Sequence, residues 1–318
     1  MPKEVLSAIG AGLASAVAAI AFLSGTFMAL GFVYLAPLPM LMAGLAYGPR
    51  TAGISALVGI IALGVFGGPL MAGTFAVIHG LPVWVIVKLA LTQRLGRTGA
   101  SGQAAVNWMP PGEIVSAMVL FTAVAVVTAA FAVEDNELSG FVAEHLGQVL
   151  GQMAPGLSAT DRGRTAQAMT PLFPGAVATI WVAMAAVNTV IAQGCLVRIG
   201  RSQRPSPSYV GLELPEWTSW PLVSAAALAL VGLGEWEYMG RNLTMVLALP
   251  YFFLGLAVFH TLARQVTATK PVLVVFYLVI VISVWAALVV AGIGIVEQWF
   301  GLRNRIASAM AGNGQTDE

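Results

Sequence analysis

Apolar residues run along this chain in long stretches, separated by short segments rich in Pro, Gly, Ser and charge. A helix needs about 20 apolar residues to cross roughly 30 Å of hydrocarbon, because backbone groups left unpaired in lipid are costly. That template predicts spans near 5–23, 27–48, 51–66, 70–91, 114–133, 172–196, 219–234, 243–262 and 271–296. The expected fold class is all-α: a polytopic transmembrane helical bundle of about nine spans, in a range of about eight to ten. One segment departs from the pattern. Between Glu134 and Thr170, the residues Phe141, Val142, His145, Leu146, Val149, Leu150 and Met153 recur at three-to-four spacing. That period belongs to a helix with one apolar face, so an amphipathic helix is expected to lie on the outer membrane surface or to cap the bundle, with substrate gating as the alternative. On this reading the chain is a single membrane domain over 1–318, with five spans in 1–133, the outside segment in 134–170, and the remaining spans and tail in 171–318.

Composition strengthens the membrane assignment: 58% of residues are hydrophobic and 9% charged, against about a quarter charged in an ordinary soluble domain. The net charge of +1 gives no reason to expect a nucleic-acid partner. Distribution of charge is more informative. With the N-terminus in the cytoplasm, predicted inside segments carry ten cations and outside segments five, as the positive-inside rule requires. A multi-pass protein of the bacterial cytoplasmic (inner) membrane follows, with its first apolar run kept as an uncleaved span. Nine spans place Arg303 and Arg305 outside. The one thiol, Cys195, leaves no internal disulfide and no cysteine-based metal site.

Ionisable groups at mid-membrane are the default functional suspects. No Asp or Glu falls in the middle of a predicted span, and Glu113 and Glu297 lie at span ends. A carboxylate proton relay is therefore not expected. His79, in AVIHGLPVW, sits at the centre of the fourth span and three residues before Pro82. Proline frees a backbone carbonyl, and broken helices at that depth can line a binding cavity. The second span has a matching feature, with Pro37 and Pro39 in YLAPLPMLM. These residues suggest a ligand cavity between spans two and four. A plainer alternative is a pair of kinked packing helices, with a neutral His79 hydrogen-bonded to a neighbouring carbonyl. Asn188 and Gln193 in the sixth span suit hydrogen bonding across helices, and Asn188 is a further candidate ligand contact. Pro250 with Gly255 reads as a kink beside a close helix contact, and His260 as a solvated interfacial residue. In the first span, Ala8, Gly12 and Ala16 form one ladder of small residues and Ala11, Ser15 and Ala19 another. Such ladders let backbones approach closely, whether to another helix of this chain or to a partner subunit.

Signatures of catalysis are missing: the chain has no HExxH, GxSxG or GxxxxGK[ST] sequence. No enzyme activity, cofactor or bound metal is expected.

The segments LPEWTSWPL, YFFLGLAVF and GIVEQWFGLRNR, with APLPMLMAGLAYG and FPGAVATIWVAMAAVNTVIAQ before them, resemble the YybS-like family of bacterial integral membrane proteins, which carries a domain of unknown function. The resemblance covers nearly the whole chain, with Glu297 standing where that family's pattern suggests an aspartate. It implies early spans similar to the substrate-binding components of energy-coupling-factor transporters, which bind a small molecule and borrow a separate ATPase module. It further implies that Ala8, Gly12 and Ala16 meet that partner. The expected function is thus a transporter-like, small-molecule-binding membrane subunit with no energy source of its own. The alternative is a non-transport membrane interaction or envelope-assembly protein, acting through the Pro/Ser-rich loop Arg201 to Trp217.

Overall fold

The computed structural model describes residues 2–21, 27–95, 106–133, 137–154 and 156–306. Nearly all of them are helical; the two short strands β1 (Gln93–Leu95) and β2 (Val106–Trp108) pair antiparallel. The chain forms two compact units, Met1–Ile114 with Val182–Pro207, and Val115–Trp181 with Ser208–Glu318.

The first unit contains α1 (Lys3–Ile20), α2 (Phe27–Leu35), α3 (Leu38–Tyr47), α4 (Pro49–Phe75) and α5 (Leu81–Ala90). Leu35 ends α2 because Pro37 and Pro39 bring no N–H to continue its ladder. In α4 the chain reverses without a loop. Gly68 takes φ 80° and ψ 179°, a conformation open to glycine, and Pro69 opens the returning arm. Gly53 lies against Trp84, Ala56 and Ile60 against Gly80, and Gly59 against the Phe75 ring, so the two arms run antiparallel. They are the segments 51–66 and 70–91 expected as separate spans. α1 packs on the first arm: a Cβ on Gly12 would stand 2.3 Å from the Ser55 carbonyl oxygen, so only glycine permits this approach. α3 meets α5 where Gly44 faces Val87, and Met40, Leu41, Leu45, Val83 and Val87 are fully buried. The C-terminal part of α9 (Phe173–Arg198), from Val182, completes the unit.

The second unit contains α6 (Pro111–Phe131) from Val115, α7 (Leu138–Met153), α8 (Ala159–Met169), the start of α9, α10 (Ser219–Val231), α11 (Glu235–Leu247), α12 (Leu249–Ala263), α13 (Thr269–Ile282) and α14 (Val284–Phe300). α7 is the amphipathic helix expected from the sequence. Leu138 joins Ala130, Tyr238 and Met239 in a cluster that Val142 also touches, while Phe141, Val149 and Met153 remain exposed. α12 and α14 approach to backbone contact, since a Cβ on Gly255 would meet the Val290 oxygen at 1.9 Å and one on Gly294 the Tyr251 oxygen at 1.8 Å. The close contact expected at Gly255 is present, and Pro250 stands in the first turn of α12, after the interruption at Ala248.

The count of nine spans needs correction. Among the described residues five continuous helical stretches are long and apolar enough to cross a membrane, Lys3–Ile20, Pro49–Ala90, Pro111–Phe131, Ala159–Arg198 and Glu235–Ala263, or six if the bent pair α13 and α14 is one span; Pro49–Ala90 is the stretch that doubles back at Gly68. The second expected span, 27–48, is divided between α2 and α3. The seventh, 219–234, yields the 13-residue α10, about 20 Å long and short of roughly 30 Å of hydrocarbon. The ninth, 271–296, bends by 115° at Ser283, whose backbone is extended. Among the described residues, large apolar side chains such as Phe66, Leu70, Leu230, Val281 and Trp285 stand fully outward, as a lipid-facing surface presents them.

Candidate functional site

His79 occupies a π-helical turn, Ala76–Gly80, closed by the bond from the Leu81 N–H to the Ala76 carbonyl. Such single wide turns are found frequently at functional sites. This one comes on the returning arm, just ahead of Pro82, whose missing N–H keeps the regular ladder from running straight through. His79 is 6% exposed and its ring centroid lies 5.3 Å from that of Phe75. Its Nδ1 is buried with no hydrogen-bond partner. The plainer expectation, a packing histidine bonded to a nearby carbonyl, finds no such bond at Nδ1.

Asn188 is the second candidate, at 2% exposure. Its Nδ2 donates to the Tyr34 carbonyl at 2.7 Å and to the Met184 carbonyl at 2.9 Å. Tyr34 lies just before the α2/α3 break, so Asn188 satisfies a carbonyl beside the break that Pro37 and Pro39 create. Its Oδ1 is buried and unpartnered. Pro37 and Pro82 are buried and Pro39 is partly so. The structure thus joins Asn188 to the Pro37 break, and places His79 with Pro82 on the returning arm of α4; no hydrogen bond links the two pairs. The ladder residues Ala8, Gly12 and Ala16 are all buried, with Gly12 seated on Ser55 and Val58 of the same chain. Gln193 donates to Ser202 Oγ at 2.8 Å and to the Arg204 carbonyl at 2.9 Å.

Other polar groups in the interior carry no sequence signal of their own. Asn242, 1% exposed, accepts from the Gly175 N–H at 2.7 Å and donates to the carbonyls of Pro171 and Tyr238 at 3.1 and 2.8 Å. Glu297, 7% exposed, accepts from the Arg303 backbone N–H at 3.0 Å and from its Nε at 2.7 Å. The same guanidinium donates to the carbonyls of Val210 and Leu212. Arg303 therefore touches the loop after α9, which the nine-span topology put across the bilayer from it. A charge tally counts residues per segment and is blind to a pairing 91 residues apart in sequence. His260 shares a hydrogen bond of 2.8 Å with the Tyr277 hydroxyl. A small pocket of about 210 Å³ in the second unit has Ser116, Trp217, Thr218 and Pro250 among its walls, and the buried Ser116 hydroxyl has no partner. Among the described residues no group of three or more His, Cys, Asp or Glu side chains could hold a metal ion.

Residues 15–297 match the family described as Predicted membrane protein (DUF2232). The chain belongs to this family. The match takes in both units and every candidate residue above except Ala8 and Gly12 on α1 and Arg303 beyond α14. Membership establishes a membrane protein, in keeping with the long apolar helices and the outward-facing apolar side chains. No curated protein and no solved structure matches the chain.

Proposed function

We propose that this chain is a small-molecule-binding subunit of a membrane transport system and has no energy source of its own. The observation that carries the reading is the buried imidazole of His79, set in a π-helical turn with its Nδ1 lacking a hydrogen-bond partner. An unpartnered polar group in a low-dielectric interior costs about 1–3 kcal/mol, so a ligand that completes its bonding is favoured there. Asn188 offers a second unpartnered acceptor in the same unit. Pro82 follows the turn that carries His79, and Pro37 and Pro39 divide the helices beside the Tyr34 carbonyl that Asn188 holds; the resemblance to substrate-binding transport components agrees with this role. Energy then comes from a separate ATPase module. Gly12 already packs on α4, so contact with that module by α1 falls to the face where Leu6, Leu13 and Val17 are exposed. The excess of cations in the segments that the sequence reading put inside agrees with an N-terminus in the cytoplasm of a bacterial inner membrane. The alternative, a protein that recruits partners through a free loop 201–217, is weakened by the fastening of that loop: Arg204 holds the Ala90 carbonyl, and Leu212 and Leu214 are buried.

The test is native mass spectrometry of the full-length protein extracted gently from its host membrane, beside His79→Ala prepared identically. A small molecule of reproducible mass on the wild type, at least tenfold depleted on the variant, is the expected result. A wild type without any such molecule, or equal occupancy on both, sinks the reading.

A further inference from the structure

We propose that the first unit binds a phosphate group at Arg204, brought by an anionic phospholipid headgroup or by a soluble phosphate compound. This site is separate from His79 and independent of the transport reading.

Arg204 lies in the loop that follows α9 and is 8% exposed. Its Nη1 donates to the Ala90 carbonyl at 2.9 Å, at the end of α5, and its guanidinium stands 5.9 Å from the Trp108 ring of β2. Its own carbonyl is fixed by Gln193 and by the Ser202 hydroxyl. The loop is tied down on either side: Arg201 donates to the Tyr47 hydroxyl at 3.2 Å and Gln203 to the Ala46 carbonyl at 2.8 Å. The guanidinium is thus held at the junction of three helix ends. Nε is buried without an acceptor, and among the described residues the guanidinium's hydrogen bond is the one from Nη1. Nε and Nη2 form the edge of the fork that takes two oxygens of one oxyanion side by side.

No carboxylate of this unit takes that place. Its sequence carries eight Lys and Arg against two carboxylates, Glu4 and Glu113. Both oxygens of Glu113 are held by Arg94, at 2.8 and 2.7 Å. Glu4 sits in the first turn of α1 and makes no ion pair among the described residues. A buried cation lacking a partner is unfavourable by several kcal/mol, and burial lowers the Arg204 pKa with no opposing charge beside it. Lys88, two residues before Ala90 and stacked over Trp84 at 4.8 Å, adds a second positive charge near that end of α5. A fixed fork with a free edge in a basic, carboxylate-poor unit favours phosphate, the group that membrane lipids present at a cytoplasmic surface.

The experiment reads the thermal unfolding midpoint of the full-length protein in a neutral detergent, with phosphatidylglycerol, phosphatidylcholine or inorganic phosphate added. A ligand bound by the folded state raises the midpoint in proportion to its occupancy. The expected result is a rise with phosphatidylglycerol and none with phosphatidylcholine, lost in Arg204→Gln and reduced at least twofold in Arg204→Lys. A rise with inorganic phosphate as well assigns the site to soluble phosphate compounds; a rise with the lipid alone assigns it to a headgroup. His79→Ala is expected to respond as the wild type does, which separates this site from the proposed ligand site. No rise with either phosphate source, an equal rise with phosphatidylcholine, or an unchanged response in Arg204→Gln overturns the proposal. Should Arg204→Gln fail to fold, a response of Arg204→Lys equal to the wild type's overturns it instead.

Discussion

Asn242 in the second unit and Asn188 in the first are buried to the same degree, yet their side chains are used differently. Asn242 has partners for its oxygen and for its amide group, while Asn188 donates twice and leaves its oxygen bare. The contrast extends to the larger groups. In the second unit Glu297 and Arg303 satisfy each other and two loop carbonyls; in the first, Nδ1 of His79 and Nε of Arg204 have no protein partner. Among the described residues of the second unit, the buried side-chain atoms in that state are the hydroxyls of Ser116 and Thr179. The units also differ in charge, one rich in cations and the other holding twelve of the fourteen carboxylates. Polar groups that stabilise a fold are bonded within it, whereas those kept for a ligand are left open. The proposed function makes the second unit the scaffold and the first the receptor.

Substitutions can break this division, and the largest effect belongs to the scaffold. Glu297→Ala strands a mostly buried guanidinium and is expected to cost about 3–5 kcal/mol, whereas Glu237→Ala, which removes the exposed pair with Arg241, costs under about 1 kcal/mol. Chemical denaturation of the two variants in detergent gives the comparison, and equal losses would contradict it. Asn242→Ala comes next at about 2–3 kcal/mol, because the Gly175 N–H and two carbonyls lose their partner in the interior. Tyr209→Phe is smaller, about 1 kcal/mol, for the hydrogen bond to the Phe253 carbonyl. This substitution also has a pH signature. Burial, with the neighbouring Tyr277, pushes the Tyr209 hydroxyl above its ordinary value of 10.0. The neutral form is thus favoured by folding: its contribution is whole below pH 10 and falls as pH rises beyond, so the variant should lose less stability in alkaline buffer than the wild type does. Last is His79→Leu. The buried Nδ1 has no bond to lose, so stability should not fall and is expected to rise by up to about 1–3 kcal/mol while ligand occupancy collapses. A stability loss as large as that of Asn242→Ala would make His79 a scaffold residue after all.

Breaks marked by proline or glycine were readable from the chain: the α2/α3 division at Pro37, the close packing at Gly255, and the boundary near Gly68 all carry the residue that backbone geometry demands. The bend at Ser283 has neither proline nor glycine from Val275 to Ala291, so hydropathy shows a single long span. α10 falls short because its helix stops at Val231, ahead of the Gly232 to Gly234 turn, and this is too subtle a boundary for apolarity to detect. Of the candidate site, His79 was visible because histidine is rare at that depth. Its lack of a partner was not, since this depends on every side chain around it. Arg204 gave no sign in the sequence, where it stands among the Ser and Pro residues of a polar loop; tertiary contacts with Ala90 and Trp108 bury it.

The reversal at Gly68 bears on how the protein enters its membrane. Two apolar arms joined by three residues leave no hydrophilic stretch to be carried across, and Phe66 and Leu70 beside the turn point outward as bare hydrocarbon. A reversal this short holds the arms side by side, so the interface of Gly53, Ala56, Gly59 and Gly80 closes at little loop-entropy cost. A polar tag spliced between Gly67 and Pro69 would force the arms apart, and α1, which rests on Ser55 and Val58, would lose its seat along with them.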